Sequence, residues 1–175
     1  MKIQTPLFGW KSVWQGYGLK GLLLDSILPV FVASLLSIIM WLNESDTYLQ
    51  LRHLIDVGIS VVPAMLALTL AAYTLLLSFV VGDKFSVIRT MDTGRKLIHD
   101  LNSSFAASLF VSTITVIVTI LTSSIANMDI PIEHPQKVNV PTYFFICYLL
   151  VYSVSILFGV IVDIFNSGQT ILLDD

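Results

Sequence analysis

A chain of 175 residues that is 55% hydrophobic and only 12% charged cannot wet the surface of a water-soluble domain, which normally carries about 25% charged residues. Twelve acidic residues against nine Lys and Arg give a net charge of −3, which excludes the general basic field that holds nucleic acid. A single cysteine, Cys147, excludes an intrachain disulfide, and no Cys and His cluster spaced for zinc is present.

The charges sit in short segments between long apolar runs, and mean hydropathy is +0.85. The expected solvent is therefore lipid. Residues 1–21 read as a cytoplasmic or interfacial segment. Trp10, Trp14 and Tyr17 share one helical face beside Lys11, as headgroup-level anchors do, although Gly9, Gly16, Gly18 and Gly21 weaken a regular helix.

The first apolar run, 22–42, starts too late and is too long for a cleaved signal, and reads as an uncleaved anchor. Asp25 falls in its expected first turn, where the helix dipole favours a carboxylate and Lys20 is near. Pro29 lies inside the run, as Pro63 lies inside the second. That second run, 57–81, holds no Asp, Glu, Lys, Arg or His. Ser60, Ala64, Ala67, Ala71, Thr74, Ser78 and Gly82 form a small-residue stripe along it.

The loop 82–103 is basic. Phe85, Ile88 and Met91 repeat at three-residue spacing, Thr93-Gly94 interrupts, and Leu97, Ile98, Leu101 and Phe105 resume a helical pattern. This predicts a helical hairpin that extends the second and third runs into the cytoplasm. Its basic face, with Lys84, Arg89, Arg95 and Lys96, suits phospholipid headgroups or a cytosolic protein. Arg95 and His99 are the nearest thing to a catalytic pair, but nothing beside them completes a nuclease site. The third run, 104–126, carries a second stripe: Ser104, Ser108, Ser112, Thr115, Thr119, Thr122 and Ala126. The fourth, 142–165, contains Asp163 at its expected C-terminus, where it calls for a cation from the loop. An acidic tail, 167–175, follows.

Each run satisfies the need for about 20 apolar residues per crossing, and only a helix satisfies its backbone in lipid. The expected fold is an all-α membrane protein with a four-helix domain over 22–166. Lys2, Lys11 and Lys20 join the four loop cations, making seven on one side. Arg52 and Lys137 stand on the other. The positive-inside rule then places both termini in the cytoplasm of a bacterial inner membrane.

The stripes are expected to pack against each other or against a neighbouring subunit, with Ala64, Ala67, Ala71, Ser108, Ser112, Thr115 and Thr119 as the packing residues. Alternatively, the third-run hydroxyls line a water path in an oligomer. His53 and His134 lie in the opposite compartment from His99, so the three do not share a metal. No catalytic residues, metal or cofactor are expected.

The four-span layout, the Gly82-Asp83-Lys84-Phe85 junction and the basic run through Arg95-Lys96 resemble small membrane subunits of bacterial anti-phage defence, in particular the membrane subunit of the Kiwa system. That resemblance implies a homo-oligomeric inner-membrane sensor working with a cytosolic, DNA-binding effector. Two functions are expected to compete. One is a non-enzymatic sensor or scaffold joining an envelope event to a cytosolic protein; the other is a small oligomeric ion channel or depolarising effector.

Overall fold

A computed structural model describes residues 18–42, 46–81, 92–128 and 134–173. Among them are four α-helices and no strand: α1 Gly18–Leu42, α2 Thr47–Val81, α3 Asp92–Ala126 and α4 Pro135–Leu173. All four are long and apolar enough to cross a membrane. The Trp10–Tyr17 face, Lys84, Arg89 and the turn of the expected hairpin lie outside the described residues.

The helices begin and end at chemical signals rather than at the limits of the apolar runs. Asp46 caps α2: its Oδ1 accepts the Tyr48 and Leu49 amides at 3.1 Å each. The helix therefore starts ten residues before the run at 57–81, because a cap satisfies orphan amides whatever solvent surrounds it. Gly18, with φ at 67°, begins α1 where a side chain would be strained. Pro135 opens α4, a position whose missing N–H costs nothing.

Two expectations are corrected here. Thr93-Gly94 does not interrupt: α3 runs through it, since one glycine costs a long helix only about 1 kcal/mol. The residues 167–173, expected as tail, continue α4. Pro141 also lies inside α4, ahead of the apolar run.

Hydrogen bonds fix the pairing. Tyr48 Oη donates to the Ala126 carbonyl at 3.0 Å, and the Tyr73 hydroxyl to Asn102 Oδ1, so α2 and α3 run antiparallel. Ser104 Oγ donates to Asp163 Oδ2 at 2.8 Å, and Thr115 Oγ1 meets Ser153 Oγ at 2.9 Å, so α3 and α4 do the same. Asn139 joins Thr47 at 3.2 Å, aligning α4 parallel to α2.

Helix α4 packs against all three others, whereas α1 packs chiefly on α4. The contact face of α1 is Pro29, Ala33, Ser37 and Met40. Its remaining large side chains, among them Leu24, Ile27, Phe31 and Leu42, are exposed in the isolated chain. In lipid that exposure is neutral, because acyl chains are as apolar as leucine.

Tyr152 Oη donates to the Leu22 carbonyl, and Ser26 Oγ bonds Tyr148 Oη, both at 3.0 Å. The start of α1 is therefore level with the middle of the apolar run of α4. Beyond it, α4 continues for roughly 25 Å toward the end that carries Arg95.

Candidate functional site

Four places collect the polar side chains of the described residues. The first is the seam between α3 and α4. Ser104, Ser108, Ser112, Thr115 and Thr119 are all buried, with Thr115 and Thr119 at 0% exposure. Thr115 also donates to the Val111 carbonyl at 2.8 Å, and Thr119 to the Thr115 carbonyl at 2.7 Å. Within the single chain the stripe is covered by the protein's own helices. Ser108 Oγ is buried with no hydrogen-bond partner among the described residues.

The second place is the outward face of α2. Ser60, Ala64, Ala67, Ala71, Thr74 and Ser78 are exposed; Gly82 lies outside the described residues. The two small-residue stripes therefore do not face each other. Helix α2 instead turns Leu51, Ile55, Gly58, Val62 and Thr69 inward. The exposed hydroxyls are not evidence of a water path. Ser60, Thr74 and Ser78 donate to the Asp56, Leu70 and Thr74 carbonyls of their own helix at 2.7, 2.8 and 2.9 Å, which satisfies a hydroxyl in lipid.

Residue types alone did not reveal Gly58. A Cβ built there would stand 2.8 Å from Thr119 Cγ2 and 3.3 Å from Leu150 Cδ2. At this glycine α2 lies against both α3 and α4 with no room for a side chain. The signal in the sequence was an isolated glycine in an otherwise aliphatic span, which often marks a packing contact.

The two aspartates separate. Asp25 is not in the first turn, since α1 starts at Gly18. It lies part-buried near the level of Tyr148 and Tyr152, whose rings stack at 5.5 Å. Asp163 is not at a helix terminus, because α4 runs on to Leu173; it accepts from Ser104. Tyr152 and Asp163 are eleven residues apart on α4, about 16 Å along its axis, so no site joins the two carboxylates.

The third and fourth places are clefts at opposite ends of the α2–α3 pair. A cleft of 470 Å³ opens beside the start of α2, lined by Tyr48, Leu51, Thr122, Ile125, Ala126, Met128, Pro135, Val138, Asn139 and Thr142. At the other end Tyr73, Leu76, Leu77, Arg95, Ile98, His99 and Asn102 line one of 370 Å³. Arg95 therefore borders a defined recess. Lys96, its neighbour, is exposed and does not line it. Cys147 is buried, as a small apolar residue would be. Among the described residues, no three His, Cys, Asp or Glu side chains stand together as a metal site.

Comparison with family models, curated proteins and solved structures finds no match to this chain. Its four membrane-spanning helices make it a multi-pass membrane protein by length and composition. What it does has to be argued from its own surfaces.

Proposed function

We propose that this protein is a non-enzymatic, homo-oligomeric scaffold of a bacterial inner membrane that couples an envelope event to a cytosolic protein. The carrying observation is the outward face of α2. Ala64, Ala67 and Ala71 lie exposed in line on it, and small side chains that let backbones approach are what bring helices together in lipid. The seven-to-two bias of Lys and Arg supports a cytoplasmic position for the Arg95 end. There Arg95 and Lys96 are exposed beside the apolar Ile98, a mixed surface suited to protein contact. The likeness to the Kiwa membrane subunit in span number and basic loop supports an anti-phage role for that coupling.

Leucine at both Ala67 and Ala71 is expected to shift the native mass in mild detergent from oligomer to single chain, with the helix content unchanged. An unaltered mass would remove α2 as the contact. Separately, neutralising Arg89, Arg95 and Lys96 together is expected to abolish recovery of the cytosolic partner while membrane insertion persists. Undiminished recovery of that partner would place the docking surface elsewhere.

A further inference from the structure

The recess at the Arg95 end brings a guanidinium and an imidazole beside aliphatic side chains. The Tyr73 hydroxyl on its lining bonds Asn102 between the two helices, and the Tyr73 and Phe105 rings pack at 5.4 Å. Leu76, Leu77 and Ile98 make its walls, and Arg95 and His99 stand toward one end of them. Arg95, Lys96, His99 and Asp100 cluster at this end of α3, ahead of the apolar run that begins at Ser104, so the recess lies toward the level where acyl chains give way to headgroups.

We propose that this cleft binds one anionic glycerophospholipid, with the phosphate on the Arg95 guanidinium and the upper acyl chain along Leu76 and Leu77. Guanidinium presents a planar fork that matches two phosphate oxygens, and it is less strongly hydrated than an ammonium. His99 adds ring N–H donor capacity beside it, with Nδ1 3.7 Å from the Asp100 carboxylate. The lipid bridges α2 and α3 where the loop between them begins, which reinforces that end of the pair. The site needs neither a second copy of the chain nor a cytosolic protein, so its test stands apart from the scaffold reading.

The experiment uses the purified full chain in mild detergent, supplied with equal amounts of dioleoyl phosphatidylglycerol and dioleoyl phosphatidylcholine, and counts retained lipid by native mass spectrometry. Phosphatidylglycerol is expected to be retained in preference, and to raise the thermal midpoint, because a ligand of the folded state stabilises it. Arg95→Gln is expected to lower retention about tenfold, the worth of one charge-assisted hydrogen bond. Lys96→Gln removes the same charge one residue away, outside the cleft, and is expected to leave retention unchanged.

Equal loss in both variants would show a diffuse charge effect and overturn the site. So would equal retention of phosphatidylcholine. Full displacement of the lipid by soluble glycerol 3-phosphate would also overturn it, by showing that the recess reads free phosphate rather than a membrane lipid.

Discussion

Gly58→Ala is expected to loosen α2 from α3 and α4, and Thr119→Ser in the same chain is expected to restore most of what is lost. The added Cβ meets Thr119 Cγ2 at 2.8 Å, and that methyl belongs to a β-branched side chain at 0% exposure, with little room to turn. Overpacking of this kind costs about 1–3 kcal/mol. Serine at 119 removes the opposing methyl and keeps the hydroxyl that donates to the Thr115 carbonyl. The remaining neighbours, Thr119 Oγ1 and Leu150 Cδ2, stand at 3.3 Å. Resistance to unfolding in graded mixtures of mild detergent and dodecyl sulfate measures the four variants as a cycle. Simple additivity of the two single effects would show that the two residues do not meet as described.

Ser112→Leu is expected to cause a loss of similar size at the same seam. Ser112 is 2% exposed, on the stripe that α4 covers, so a branched side chain has nowhere to go. Thr115→Val should be far milder. It preserves shape and removes the hydroxyl's bonds to Ser153 and to the Val111 carbonyl of its own helix, and bonds between membrane helices average about 0.6 kcal/mol. The contrast separates a packing seam from a conduit. A conduit would tolerate both replacements in folding and lose conductance. A seam tolerates valine and fails with leucine. Folded yield and thermal midpoint after detergent extraction measure it.

Several features were legible before any tertiary contact was known. The hydroxyl stripe of α3 showed in the spacing of Ser104, Ser108, Ser112, Thr115 and Thr119, because a period near 3.6 aligns them on one face. Its partner was not legible. The α2 stripe has the same spacing and similar residues, yet it faces outward, while α2 packs inward through Leu51, Ile55, Gly58 and Val62. Small residues permit close approach, but they do not say whether the approaching helix belongs to the same chain. The start of α2 was missed for a different reason. Hydropathy finds where lipid is, whereas the Asp46 cap decides where the helix begins.

Asp25 shows the limit most clearly. Its distance from the start of an apolar run suggests a first-turn carboxylate near Lys20, at the same face of the membrane as Asp163. Only the bonds from Tyr152 to Leu22 and from Tyr148 to Ser26 reveal that α1 meets α4 at mid-run, so the two aspartates occupy different depths. The Arg95 recess was equally hidden, because Tyr73 and Asn102 are twenty-nine residues apart and meet only through the α2–α3 pairing.

By itself the sequence determined four helical crossings, because hydropathy is a local sum and lipid obliges each backbone to bond within its own helix. Tertiary structure alone decided which face of each helix lies inside, how deep each charge sits and where the clefts open. Those depend on how side chains far apart in the chain fit together, and with no water to drive helices together, close shape and a few hydroxyl bonds settle that fit.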